Sequence, residues 1–138
     1  MKYIAQNTTD LVHIGQQFLE DTEGHKVFAF EGDMGAGKTT FIQQIMKAMG
    51  VTDEVSSPTY GYVNEYLSPY YGKIFHFDLY RINNEEEAYD IGIEEYIYGD
   101  NYVFLEWAKK IDNLLPENCV WVKIEVDENH FRTIEVIL

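Results

Sequence analysis

The glycine-rich segment at residues 32–39 is the part of the sequence whose residue types and spacing most directly suggest chemistry. It reads GDMGAGKT and fits the pattern G-x-x-x-x-G-K-[ST]. Glycines at this spacing let backbone N–H groups close around phosphate oxygens, the lysine reaches the β- and γ-phosphates, and the hydroxyl ligates Mg²⁺. We therefore expect Gly35 and Gly37 to line a phosphate site, with Lys38 on the phosphates and Thr39 on the metal. A glycine turn followed by an incidental lysine is the alternative, and it explains less of the spacing.

The phosphate loop needs a strand before it and a helix after it. The apolar run KVFAFE at 26–31 is typical of a strand that is buried on both faces. From Lys38 onward the apolar residues recur at helical spacing, with Phe41 and Ile45 on one face and Gly50 as the stop. A helix that begins at the loop also directs its positive end at the bound phosphate.

Two carboxylates could complete the metal site. Glu106 ends the apolar run VFL at 103–105, and Asp78 ends IFHFD at 74–78. A carboxylate on the buried face of a strand is costly unless it is paired or metal-bound, so a site explains both residues better than packing does. Solvated strand ends are the alternative. Lys38, Asp78 and Glu106 are the predicted catalytic residues, and the sequence leaves open which carboxylate orients the attacking water.

The other elements predict the fold. A first helix, capped at residues 8–10, ends by Gly24, and a second helical region starts at Asn84 and breaks at Gly92. The extended segments 60–67 and 73–79 suggest an antiparallel pair, the segment 102–107 a buried strand, and the segments 120–126 and 133–138 a terminal hairpin. The sum is an α/β fold: a single three-layer P-loop NTPase-like domain over residues 1–138, with a mixed parallel and antiparallel sheet and a C-terminal β-hairpin.

Composition excludes several classes of protein. The 138 residues are 46% hydrophobic and 15% aromatic, which argues against a disordered chain. There are 24 acidic and 10 basic residues, a net charge of −14, which argues against strong unassisted binding to nucleic acid or to an anionic membrane. The single cysteine, with no apolar stretch long enough to span a bilayer, favours a soluble, cytoplasmic protein.

The identity of the nucleotide follows from what the sequence lacks. It has no Asn-Lys-x-Asp motif downstream of the loop, which a guanine-specific site would need. Arg81 and Arg132 are the only arginines, whereas a small-molecule kinase usually surrounds its phosphates with several. ATP is therefore the favoured nucleotide, with hydrolysis or switching favoured over phosphoryl transfer to a small acceptor.

Six short motifs occur in order along the chain. They are GDMGAGKTT at 32–40, VSSPTY at 55–60, VNEY at 63–66, HFDLYR at 76–81, IGIEEY at 91–96 and LEW at 105–107. This set resembles the TsaE family (formerly YjeE), the bacterial ATPases of tRNA threonylcarbamoyladenosine biosynthesis. The resemblance covers nearly the whole chain, from the first helix to the terminal hairpin.

The resemblance implies roles for individual residues. Mg²⁺ would lie on Thr39 and Glu106, with Asp78 as a further site carboxylate, and Thr59 would sense the γ-phosphate or the metal. The nucleotide phosphates, of ATP or ADP, would lie on Gly35, Ala36, Gly37, Lys38, Thr39 and Thr40.

The resemblance implies roles for three further residues, and each of these roles has a simpler alternative. Thr8 would approach the nucleotide, although it could equally be a neighbour of the helix cap. Trp107 would lie near the site or in the core, and Arg132 would lie near the nucleotide or in a surface ion pair. Neither His76 nor Arg81 has a role that the residues define, and a structural histidine is the favoured interpretation of His76.

The implied function is Mg²⁺-dependent ATP binding and slow hydrolysis that supports N6-threonylcarbamoyladenosine modification of tRNA through a TsaB–TsaD partner complex. One alternative is a nucleotide-gated docking module in which hydrolysis is incidental, and another is a small-molecule kinase. The acidity is concentrated between residues 78 and 100, where eight acids accompany one arginine. This region is either a solvated helix face or a docking surface for a basic partner.

Overall fold

A mixed sheet of seven strands organises the part of the chain that the computed structural model describes, residues 1–33, 35–58 and 61–138. The strands lie in the order β1-β7-β6-β2-β5-β4-β3. Their bounds are β1 (Lys2–Ala5), β2 (Val27–Glu31), β3 (Val63–Ser68), β4 (Gly72–Asp78), β5 (Tyr102–Glu106), β6 (Val120–Val126) and β7 (Arg132–Ile137).

Helices cover both faces of the sheet. One face packs against α1 (Thr8–Asp21) and α2 (Lys38–Ala48), and the other packs against α3 (Glu85–Asp90), α4 (Ile93–Ile97) and a 3₁₀ segment (Ala108–Leu114). The predicted three-layer α/β architecture is confirmed. None of the helices in the described ranges has the length and apolar character needed to cross a bilayer.

Strand β2 shows how the sequence produces two cores. Phe28 and Phe30 belong to the core under α1 and α2, whereas Val27 and Ala29 belong to the core on the opposite face. Successive side chains of a strand point to opposite faces, so a continuous apolar run is what a central strand requires. The predicted strand at 26–31 is thereby confirmed.

The parallel strands fix the edge at which a site can form. β2 pairs in parallel with β5 and with β6, and β5 pairs in parallel with β4. The carboxyl ends of these four strands therefore meet at one edge, where α/β proteins commonly bind ligands. The remaining pairs, β3 with β4, β6 with β7 and β1 with β7, are antiparallel, which confirms the predicted terminal hairpin.

The N-terminal region differs from the prediction. Asn7 is the cap of α1, because its side chain accepts a hydrogen bond of 2.8 Å from the N–H of Asp10, and Thr8 is already the first helical residue. Asp10 in turn accepts a 2.8 Å hydrogen bond from the N–H of Gln6, the residue before the cap. Strand β1 was not predicted, since Ala5 is its only buried residue and the strand lacks an apolar run.

Two further elements depart from expectation. The pairing of Ser68 with Gly72 shortens the predicted five-residue loop between β3 and β4 to residues 69–71. The 3₁₀ segment after β5 was also unpredicted. It begins after Trp107, whose φ of 61° lies in the left-handed region and turns the chain sharply.

The acidic region forms α3 and α4. Asn84 caps α3 by accepting a 3.0 Å hydrogen bond from the N–H of Glu87, as predicted. Glu86 and Glu94 are exposed to solvent, whereas Glu85 accepts a hydrogen bond from the Asn113 side chain at 3.0 Å. Most of this charge therefore lies on a solvated face, and its use as a docking surface stays a prediction.

Candidate functional site

The glycine-rich loop connects β2 to α2 at the carboxyl edge of the sheet. Gly35 and Gly37 have φ values of 86° and 95°, which favour glycine over residues with a side chain. A Cβ atom on Gly32 would lie 2.6 Å from the carbonyl oxygen of Ile124, so the backbone passes too close to β6 for a larger residue. Gly37 caps α2 without a side chain, which leaves the first N–H groups of the helix able to bind an anion.

The Lys38 amine is folded back against this loop. It donates hydrogen bonds to the carbonyl oxygens of Gly32 and Asp33, the latter at 3.2 Å, and the side chain is only 5% exposed. Burial lowers the pKa of Lys38, while the nearby carboxylates of Glu106 and Asp78 act in the opposite direction. The amine is therefore held at the loop, where a phosphate bound by the loop amides could exchange for the carbonyl oxygens.

Glu106 and Thr39 meet as predicted for a metal site. The Thr39 hydroxyl lies 2.9 Å from Oε1 and 3.1 Å from Oε2 of Glu106, which is the last residue of β5 and only 3% exposed. The Ser57 hydroxyl joins them, 3.0 Å from Thr39 Oγ1 and 3.5 Å from Glu106 Oε2. Three oxygen-bearing side chains thus converge beside Lys38.

The chemistry of this cluster fits Mg²⁺. Mg²⁺ prefers oxygen ligands and is commonly held by one or two carboxylates together with the phosphates of a substrate and waters. The described residues contain no group of three or more histidine, cysteine, aspartate or glutamate side chains that could hold a metal ion alone. The set of Thr39, Ser57 and Glu106 therefore suits a metal that arrives with a nucleotide.

Asp78 lies on the neighbouring strand. It is paired with Glu106 in the β4–β5 register, so both carboxylates reach the same edge of the sheet. Asp78 Oδ1 accepts a 3.0 Å hydrogen bond from the N–H of Tyr80, and the residue is half-buried. The structure thus brings Glu106, rather than Asp78, within hydrogen-bond distance of the Thr39 hydroxyl, while Asp78 is near enough to Lys38 to influence its pKa.

His76 is a site residue whose role the sequence did not define. Its Nε2 atom lies 2.6 Å from Glu106 Oε2, and the side chain is completely buried. The alternation of side chains along β4 places His76 and Asp78 on one face, and this was visible in the sequence. The contact with Glu106, however, depends on the pairing of β4 with β5.

Trp107 and Arg132 also lie at the loop. The Trp107 ring is half-buried, with its centroid 4.1 Å from Lys38 Nζ and 5.1 Å from the Tyr80 ring. The Arg132 side chain packs against Gly37, where an added Cβ would lie 2.8 Å from Arg132 Nε. Within residues 1–33, 35–58 and 61–138, Arg132 forms no ion pair, which leaves its charge available to the loop.

The remaining predicted site residues are placed as follows. Ala36 is buried in the loop, and Thr40 is half-buried in the first turn of α2. Thr8 is exposed, and among the described contacts none joins its side chain to the loop. Thr59 lies outside the described residues. A cavity of about 690 Å³ opens beside the loop, between Gly35, Trp107 and the end of β6, and is large enough for a nucleoside-sized group.

The strand order and the position of the loop define an α/β domain of the P-loop NTPase-like class. The family model described as "Threonylcarbamoyl adenosine biosynthesis protein TsaE" matches residues 5–134, so the chain belongs to the TsaE family. Members of that family take part in threonylcarbamoyladenosine biosynthesis, as the family description states.

Individual relatives agree with this assignment. The chain is similar to the tRNA threonylcarbamoyladenosine biosynthesis protein TsaE of Haemophilus influenzae, with 37% identity over 92% of this chain and 82% of the relative. It is similar to the protein of the same name from Treponema pallidum, with 29% identity over 99% of each chain. Among solved structures, YdiB of Bacillus subtilis superposes with a TM-score of 0.78 at 27% identity, covering 97% of this chain and 82% of that one.

Proposed function

We propose that the protein binds ATP with Mg²⁺ and hydrolyses it slowly, in support of tRNA N6-threonylcarbamoyladenosine modification through a TsaB–TsaD partner complex in the cytoplasm. The observation that carries this proposal is the convergence of Thr39, Ser57 and Glu106 beside Lys38 at the start of α2. Membership of the TsaE family supports the pathway.

The loop and α2 supply the phosphate-binding part of this function. The backbone amides of the loop and the positive end of α2 hold the phosphate oxygens. On nucleotide binding, the Lys38 amine leaves the loop carbonyl oxygens and binds the β- and γ-phosphates. The charge-assisted hydrogen bonds to phosphate offset the free-energy cost of keeping the ammonium buried. Arg132, which lies against Gly37, adds positive charge on the hairpin side.

Glu106 and Asp78 have different roles in this proposal. Thr39 and Glu106 would hold Mg²⁺, and the ion would supply neutralisation of the charge that develops on the transferred phosphoryl group. Asp78 makes its hydrogen bond to a backbone N–H and is not engaged by Thr39, so it is free to accept a hydrogen bond from the attacking water. Lys38 remains on the phosphates and stabilises the leaving oxygen.

One observation favours the nucleotide-gated docking module as a second candidate. Ser57 belongs to the segment between α2 and β3, and its hydroxyl contacts the predicted metal ligand Thr39 at 3.0 Å. Nucleotide binding at Thr39 would therefore change the position of a surface segment that a partner could read. A small-molecule kinase is less well supported, because Arg81 is exposed and only Arg132 approaches the loop among the described residues.

The proposal is tested by measuring ATP hydrolysis with and without a purified TsaB–TsaD complex and tRNA. We expect weak Mg²⁺-dependent release of phosphate by the protein alone and a higher rate with the partners. Modification of tRNA over many turnovers with a non-hydrolysable ATP analogue would favour the docking module. Phosphate that appears on an acceptor molecule rather than in solution would favour the kinase.

Replacement of Ser57 by alanine tests the link between the surface segment and the metal site. Loss of one neutral hydrogen bond of about 1 kcal/mol is expected to weaken Mg²⁺-dependent nucleotide binding by about fivefold. Ser56→Ala is the matched control, because the Ser56 side chain is exposed and its hydrogen bonds to Tyr66 and Asn64 use backbone atoms. Equal affinities in the two variants, measured by titration calorimetry, would contradict a role for the Ser57 hydroxyl.

A further inference from the structure

His76 lies directly behind the Glu106 carboxylate, on the face of β4 that packs toward α2. We propose that His76 is a positioning residue: its Nε2 atom fixes the rotation of the Glu106 carboxylate so that Oε1 is presented to Thr39 and the metal. This inference rests on the proposed function, since it assigns Glu106 to Mg²⁺. The proposal concerns the orientation of a carboxylate and assigns His76 no contact with the nucleotide.

The two oxygens of Glu106 share the Thr39 hydroxyl, but only Oε2 also contacts His76 and Ser57. Oε2 lies 2.6 Å from His76 Nε2, 3.1 Å from Thr39 Oγ1 and 3.5 Å from Ser57 Oγ. Oε1 lies 2.9 Å from Thr39 Oγ1 and has no contact with the histidine in the described residues. The shortest of these contacts is the one to His76, so this bond determines which oxygen turns toward the sheet and which turns toward the loop.

The ring nitrogens of His76 indicate what the residue is for. Nε2 must carry a hydrogen in order to donate to the carboxylate. Nδ1 is buried and has no hydrogen-bond partner among the residues that the structure describes. Buried polar atoms usually have hydrogen-bond partners. A histidine that served only for packing would need no hydrogen bond from either ring nitrogen to a residue of the site. The bond to Glu106 is therefore the polar interaction that accounts for a histidine at this position.

The contact also protects Glu106 from a competing partner. Lys38 is near enough to Glu106 for the carboxylate to influence its pKa, yet within the described residues the Lys38 amine bonds to loop carbonyls and forms no ion pair with Glu106. A carboxylate free to rotate would be drawn toward that ammonium. Held by His76, Glu106 stays with Thr39, and Lys38 stays available for phosphate.

Carboxylates and histidines next to metal ligands commonly tune the metal by orienting the ligand, and their loss typically costs about 10- to 100-fold in metal affinity or activity. We expect His76→Asn to raise by this factor the Mg²⁺ concentration that half-saturates nucleotide binding. The shorter asparagine amide ends near the position of Nδ1 and does not reach Glu106. His76→Gln places an amide N–H near the position of Nε2 and is expected to restore the half-saturating Mg²⁺ concentration to within about threefold of the original.

The experiment is a calorimetric titration of nucleotide at a series of Mg²⁺ concentrations, with the thermal midpoint of each variant measured in parallel. The expected pattern is a Mg²⁺ requirement that rises in His76→Asn and recovers in His76→Gln, with nucleotide affinity in the absence of Mg²⁺ unchanged. Equal Mg²⁺ requirements in the two variants would overturn the positioning role. So would a loss of Mg²⁺ affinity that parallels the fall in thermal midpoint and does not depend on whether the variant retains an N–H near Glu106. A wild-type protein whose nucleotide binding ignores Mg²⁺ would instead overturn the proposed function.

Discussion

Replacing Lys38 with alanine is expected to lower ATP hydrolysis by about 100-fold or more and to weaken nucleotide binding in parallel, because a single preorganised donor at a transition state is worth this much. The amine is buried at the loop and is held by the carbonyl oxygens of Gly32 and Asp33. No other lysine among the described residues donates to these loop carbonyls. Phosphate release, measured with and without the partner complex, reports the effect.

The same helix provides the control for this substitution. Lys47 is exposed in the last turn of α2, so Lys47→Ala removes an equal charge without touching the loop. The stability of the Lys38→Ala protein should not fall greatly, because burial lowers the pKa of Lys38 and the charged amine therefore costs free energy in the free protein. If Lys38→Ala kept full Mg²⁺-dependent hydrolysis with the partners present, the loop could not be the nucleotide site.

The second large effect is expected for Glu106→Gln. The substitution preserves volume but removes the charge that is proposed to hold the metal, so hydrolysis should fall by about 100- to 1,000-fold. Binding of nucleotide without Mg²⁺ should be retained, or improved, because a carboxylate near the phosphates is lost. Titration of nucleotide with and without Mg²⁺ separates these two results.

Asp78→Asn is the matched comparison, since it makes the same chemical change on the neighbouring strand. Asp78 is not hydrogen-bonded to Thr39, so its loss should reduce hydrolysis while leaving the half-saturating Mg²⁺ concentration nearly unchanged. If Glu106→Gln left the Mg²⁺ requirement unaltered and Asp78→Asn raised it, Asp78 would be the metal ligand and Glu106 the residue that orients the water.

Local sequence patterns predicted the parts of the site that depend on neighbouring residues. The strand, loop and helix between residues 26 and 50 follow from apolar periodicity and glycine spacing, and the placement of Glu106 follows from the apolar run it ends. The parallel strands at the site edge then bring Thr39 and Glu106 together. The family resemblance, carried by six motifs in order, was confirmed by the family match.

Contacts that depend on which distant strands lie side by side could not be derived from local sequence patterns. The contact of His76 with Glu106 requires β4 to lie beside β5, and the approach of Arg132 to Gly37 requires the β6–β7 hairpin to lie beside β2. Neither pairing is encoded in a short stretch of sequence. The cap of α1 was misplaced for a different reason: Asn7 and residues 8–10 are all suitable capping types, and only the backbone conformation distinguishes them.

The neighbours of the phosphate loop impose an order on its assembly. Ile124, which crowds Gly32, and Arg132, which packs against Gly37, are synthesised about 90 residues after the loop. Contacts of such long sequence separation form slowly, because a large loop must close before they contribute. On the ribosome the chain would therefore carry an incomplete loop until β6 and β7 emerge, so that the proposed nucleotide site forms only after these two strands have joined the sheet.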